Sequence, residues 1–148
     1  MRRSAVTLTF LTWAMSASAL AGCAAEVPEG KAFTIDTSAW AGSEQCSTAP
    51  CALDAYRVRE FDTGQAVPGA LVDGADAQVH CFAPAPAPMA DPTGRQVYRW
   101  YLLTVDDSTL WAPDLAITSA ADVRLDAEES GEHLAAGLRV CHSGVPGR

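Results

Sequence analysis

Between residues 66 and 117, apolar and polar side chains alternate in short runs separated by turn residues. Successive side chains of an extended chain point to opposite faces, so this alternation predicts strands. In the run 75–82, Ala77, Val79 and Cys81 share one face, with Gln78, His80 and Phe82 on the other. In 99–105, Tyr101, Leu103 and Val105 lie on one face and Trp100, Leu102 and Thr104 on its opposite. Both faces of this second run are fairly apolar, as in a central strand covered on two sides. Asp73-Gly74 and Asp106-Asp107-Ser108 carry turn chemistry, because Gly and Asp tolerate left-handed or side-chain-bonded backbone. Residues 51–60 (CALDAYRVRE) read as an earlier strand of the same unit. With short strands, tight turns and no long helical period, the pattern predicts an all-β barrel or sandwich.

The N-terminal pattern is of another kind. Arg2 and Arg3 precede an uncharged run over 5–20, which ends in Leu20-Ala21-Gly22-Cys23. A basic start, a short apolar run and small residues before a cut site describe an export signal over residues 1–22. The run is too short and too polar for a spanning helix, which needs ~20 apolar residues. Its ending resembles the lipobox of bacterial lipoproteins. That resemblance implies a diacylglycerated Cys23 as the new N-terminus and a lipid anchor on the extracytoplasmic face of the cell membrane.

Removing 22 of the 148 residues leaves 126, enough for one domain with tails. The signal takes two of the 10 basic residues and none of the 18 acidic ones, leaving a net charge of −10. Such a charge repels phosphate backbones and excludes nucleic acid as a partner class. It also disfavours lying on an anionic bilayer, so membrane attachment falls to the acyl chains. The acidic cluster Asp122, Asp126, Glu128, Glu129 and Glu132 reads as a solvated face.

Cys46, Cys51, Cys81 and Cys141 remain after lipidation, an even number that reads as a disulfide framework in an exported chain. The expected pairs are Cys46–Cys51, closing a small loop, and Cys81–Cys141, clamping the C-terminal tail to a strand. Cys51–Cys81 with Cys46–Cys141 is the alternative. His80-Cys81 and Cys141-His142 suggest a Cys2His2 metal site. Adjacent strand residues point to opposite faces, however, and no CxxC spacing occurs, so no metal is expected.

Residues 23–31 (CAAEVPEGK) read as a tether, and 23–45 together as tether and N-terminal loop, with a weak edge strand over 32–36. Trp40, in a loop rich in Ser, Ala and Gly, is expected to cap a core edge. From about residue 52 to 118 the order of elements is similar to that of bacterial SH3-like (SH3b) domains. Arg57-Val58-Arg59 matches their opening, and Ala66-Val67-Pro68-Gly69-Ala70-Leu71 the second strand. Ala77-Gln78-Val79-His80-Cys81 matches the third and Trp100-Tyr101-Leu102-Leu103 the fourth, with Leu110-Trp111-Ala112 in the place of Gly-Trp-Val. The resemblance implies a small SH3-like barrel over 46–118, followed by a disulfide-tethered extension over 119–148.

There are departures from that pattern. Glu60-Phe61-Asp62-Thr63 replaces Ser-Gly-Pro, which reshapes the first loop and its ligand contacts, and Leu110 replaces the usual Gly. The insert APAPAPMADPTGRQV after Phe82 reads as an extended, polyproline-type loop, since proline cannot donate to a ladder. In the extension, a short strand over 122–125 and helical turns over 128–136, from a Ser130 cap to Gly137, precede a return strand over 138–141. A hairpin from 123 to 140 is the alternative, and HSGVPGR after Cys141 is expected to fray.

No GxSxG, HExxH or phosphate-cradling loop occurs, and His80, His133 and His142 are scattered. His80 with Asp73 or Asp76 is the one base-and-orienter pair to consider, and catalysis is not expected. The expected ligand-binding residues are Tyr98, Trp100 and Trp111, lining an outer groove; packing of these aromatics in the core is the competing role. SH3-like relatives bind cell-wall peptides in aromatic grooves, which makes peptidoglycan or an envelope protein the expected partner and no cofactor necessary. The function expected is a lipid-anchored extracytoplasmic binding module. An envelope enzyme or inhibitor, and a structural lipoprotein without small ligand, are the contrasting classes.

Overall fold

A computed structural model describes residues 27–117, 132 and 134–142. The signal, Cys23, the strand expected over 122–125, Ser130, His133 and residues 143–148 lie outside the described residues. The strands are β1 (Lys31–Thr34), β2 (Ala52–Tyr56), β3 (Ala66–Val72), β4 (Asp76–Ala90), β5 (Gln96–Val105) and β6 (Ser108–Pro113). Every pairing among these six strands is antiparallel, and the spatial order is β1-β4-β5-β6-β2-β3. Three short 3-10 turns, Ser38–Trp40, Glu44–Cys46 and Asp114–Ala116, lie on the connections. The all-β expectation holds. The sheet is not closed, however: β1 and β3 remain its two edges. Closure requires strand number, tilt and stagger to agree around the ring. Here β1 covers only the Asp76–Val79 end of β4, and β6 meets β2 through the single pair Tyr56↔Trp111.

The β5 sequence is apolar on both faces because each face meets its own core. Tyr101, Leu103 and Val105 pack with Ile35, Trp40, Leu53, Leu71, Val79 and Leu110. Trp100 and Leu102 pack on the other side with Tyr56, Cys81, Val97, Trp111 and Leu115. The β5–β6 turn is a two-residue hairpin, with Val105 paired to Ser108 and Asp106 and Asp107 at φ 45° and 61°. Positive φ at both central residues is what such hairpins demand, and Asp tolerates it.

Two expectations about β4 are corrected. A register shift between Val79 and Cys81 places a bulge at His80. One extra residue inverts the alternation beyond it, so Cys81 leaves the Ala77–Val79 face and joins the Trp100 core while Phe82 turns to the first core. Secondly, the proline-rich segment is not a loop: β4 runs through it to Ala90 and pairs at Pro84↔Arg99, Met89↔Val97 and Ala90↔Gln96. Phe82 uses its outer N–H and C=O on the tail, donating to Arg139 O (3.1 Å) and accepting from Cys141 N (2.8 Å). Pro84, two residues on, has its nitrogen on that same outer edge, where a missing donor interrupts no β5 bond.

Both expected disulfides are present, Cys46–Cys51 and Cys81–Cys141. The second holds the tail where Val140 makes an isolated parallel bridge to Phe82; the return strand expected over 138–141 is reduced to that one bridge. Glu132, Leu134 and Ala135 have helical backbone, and Gly137, at φ +78°, ends that turn. The edge strand near residue 32 forms as β1. The tether is shorter than expected, because Val27 packs on the Trp100 core and Pro28 is buried, its carbonyl bonded to His80 Nδ1 at 2.7 Å. Gly30 permits that close approach, since a Cβ there would lie 2.8 Å from the Gln78 side chain and 2.9 Å from the His80 ring.

Candidate binding cleft

The groove expected over Tyr98, Trp100 and Trp111 is filled by the protein itself. Trp100 is fully buried and Trp111 is 3% exposed. Phe61 lies 5.0 Å from the Trp100 ring, Tyr56 stands edge-on to it at 5.7 Å, and the Arg59 guanidinium sits 5.3 Å over Trp111. Phe61 belongs to the Glu60-Phe61-Asp62-Thr63 segment that stands in place of Ser-Gly-Pro, so that departure is what covers the aromatics. Tyr98 is half-buried, and its backbone N–H donates to Asp114. The two tryptophans are core residues here.

An open cleft of about 340 Å3 lies elsewhere, at the end of the sheet where the β4–β5 turn meets β2 and the Ser38–Trp40 and Glu44–Cys46 turns. Trp40, Leu53, Pro92, Pro113 and Ala116 form its apolar walls, and Asp54, Tyr56 and Asp91 bring polar groups to it. Each wall is fixed by the chain around it. Trp40 donates its indole N–H to Leu115 O at 2.7 Å, and the Arg95 guanidinium lies 4.7 Å over its ring. Trp40 therefore caps the core edge as expected, while also facing the cleft.

Asp91 opens the turn after β4 and is 7% exposed. Its Oδ1 accepts from Thr93 N (2.9 Å), Thr93 Oγ1 (2.7 Å) and Arg95 N (2.9 Å), an Asx-type arrangement that locks the carboxylate in place. Oδ2 has no partner among the described residues. Asp54 stands where β3 carries extra residues between Val67 and Leu71, opposite a single β2 residue. Its Oδ1 accepts the Gly69 N–H at 3.1 Å. Tyr56 is 8% exposed, and its hydroxyl pKa is raised, first by burial and then by the charges of Asp54 and Asp91. The two carboxylates thus bring negative charge to bear on the phenol.

Below the cleft, Asp114 ties its Pro113–Ala116 wall to β5. Oδ2 accepts from Tyr98 N and Arg99 N, both at 3.2 Å, and Oδ1 from Leu115 N at 2.8 Å. Burial pushes its carboxyl up to about 6, against those hydrogen bonds and the Arg99 charge, which pull it down. Burial, reinforced by Asp114, also raises the Tyr101 phenol.

The remaining candidates resolve without chemistry. His80 bonds Pro28 O and Thr104 Oγ1 (2.8 Å), not Asp73 or Asp76. Asp73 instead accepts from Thr37 N and Oγ1 at 2.8 and 3.0 Å. Cys81 and Cys141, which a Cys2His2 site would need as thiolates, are joined to each other. Among the described residues no helix is long and apolar enough to cross a membrane. A second groove, of about 210 Å3 between β1 and the tail, is walled by Phe33, Val79, Tyr101 and Leu138, with Lys31 also in its lining.

Sequence reasoning missed Asp54, Tyr56 and Asp91 as site residues. The Asp91-Pro92-Thr93-Gly94 run was a signal within reach, because Asp followed by Thr two residues on is an Asx-turn pattern. Compared with known proteins, the chain matches no family model, no curated protein and no solved structure.

Proposed function

We propose that this chain is a lipid-anchored extracytoplasmic binding module, held to the cell membrane through Cys23, whose ligand enters the Trp40 cleft. We read its open sheet as a divergent SH3-like unit, on the chain order of the matching segments. The observation that carries the reading is the cleft itself: apolar walls around a few fixed polar groups, the usual composition of a ligand site. Among the described residues its lining holds no histidine and no thiol, which favours binding over catalysis. Cell-wall peptide is the partner class, following the resemblance to SH3b domains.

Retention of the processed, oxidised chain on purified peptidoglycan tests this reading. Wild type should be retained, and Asp54→Asn/Asp91→Asn should lose retention with a nearly unchanged thermal midpoint, since Asn keeps the Oδ1 acceptor at both turns. Equal retention of the variant would remove the ligand from the cleft, and no retention of wild type would remove the wall as partner.

A further inference from the structure

We infer that the Trp40 cleft recognises a primary ammonium group carried on an aliphatic chain. The inference rests on the reading of this cleft as a binding site and names the chemistry it selects. Asp91 is more than nine-tenths buried, and its Oδ1 is saturated by the turn, leaving Oδ2 without a protein partner among the described residues. That oxygen is open to solvent at the cleft Asp91 lines, where a ligand N–H can take the place of water. Asp54 likewise spends one oxygen, on Gly69 N. The Tyr56 hydroxyl feels both charges and has no hydrogen bond among the described residues.

The site therefore offers acceptors and negative charge, which excludes carboxylate and phosphate ligands. With one open oxygen per carboxylate, it suits a point donor. The two-pronged fork of a guanidinium needs both oxygens of one carboxylate. An ammonium brings three donors of its own. Trp40, Leu53, Pro92 and Pro113 provide the apolar surface against which methylenes lie. The Arg95 guanidinium, 4.7 Å over the Trp40 ring, is a cation placed at this end.

Cadaverine is the direct probe, titrated into the 15N-labelled processed chain, which keeps every described residue, with the Trp40 indole N–H as reporter. That signal should shift saturably with cadaverine and stay still with 1-pentanol. Asp91→Asn should weaken binding at least tenfold, and Tyr56→Phe, which keeps the ring packing, should weaken it less. An indole that does not move, or moves equally with pentanol, overturns the inference. So does cadaverine binding equally well to a folded Asp91→Asn. Peptidoglycan with its free amino groups acetylated separates the two levels of argument. Retention on native wall and loss on acetylated wall supports both. Equal retention on the two keeps the wall reading and overturns the ammonium. Failure on both with cadaverine still binding overturns the wall and keeps the ammonium.

Discussion

Trp100 and Trp40 are opposites in the sequence and opposites in the structure, but the other way round. Trp100 sits in a strand beside Tyr98 and Tyr101, where an aromatic stripe suggests a groove. Trp40 sits in a Ser- and Gly-containing loop, where it suggests a cap. In the folded chain Trp100 is sealed under Phe61 and Tyr56, and its indole nitrogen is buried without a hydrogen-bond partner among the described residues. Trp40 has its N–H satisfied by Leu115 O and still contributes a wall to open space. A central strand with both faces covered has no surface on which to present an aromatic. Turns at the end of a sheet do, because they converge there from distant parts of the chain.

The sharpest way to break this comparison is Trp100→Ala. Truncating a buried tryptophan costs about 3–5 kcal/mol, so the thermal midpoint followed by circular dichroism should fall steeply. A midpoint within a few degrees of wild type would return Trp100 to the surface and reopen the Tyr98–Trp100–Trp111 groove.

What was legible in the sequence was local. The alternation over 99–105 placed each β5 side chain on its correct face, and the cysteine spacing paired both bridges. The bulge at His80 was not legible, because alternation counted by residue number runs straight through it and assigns Cys81 to the wrong core. Prolines at every second position after Phe82 signalled a loop. They are tolerated in β4 because the edge that Pro84 faces is one β1 does not reach. The cleft was illegible for a different reason. Trp40, Asp54 and Asp91 are far apart in the chain, and only the strand order brings their turns together.

The disulfides sharpen the contrast on a smaller scale. Cys81–Cys141 belongs to the sealed side and closes a separation of 60 residues, while Cys46–Cys51 lies by the cleft and closes 5. On the chain-entropy model these contribute about 4 and about 2 kcal/mol respectively. Cys81→Ala/Cys141→Ala should therefore lower the denaturation midpoint about twice as much as Cys46→Ala/Cys51→Ala. It should also free the tail at Phe82, read as faster exchange of the backbone amide at position 141. Equal losses from the two pairs would mean that the tail is held by its packing and not by its bridge.

Asp114 joins the two regions, since it bonds β5 on the sealed side and fixes the wall beneath the cleft. Its folded pKa, about 6, lies above the ordinary 3.8 because burial disfavours the carboxylate more than three backbone N–H groups favour it. The folded chain then holds this proton more tightly than the unfolded one. Stability from Asp114 is accordingly present at low pH and lost as pH rises through about 6, the reverse of the usual paired aspartate. Between about pH 7 and pH 4.5 this carboxyl should add roughly 2 kcal/mol to stability on acidification. Asp114→Asn cannot titrate, and its amide would face a backbone N–H, so it lowers stability at both pH values. The diagnostic is the difference between them: urea midpoints of wild type should rise on acidification relative to the variant's. Parallel pH profiles would show that the Asp114 site is wet, and that the floor of the cleft opens to water from the side on which Trp100 is sealed.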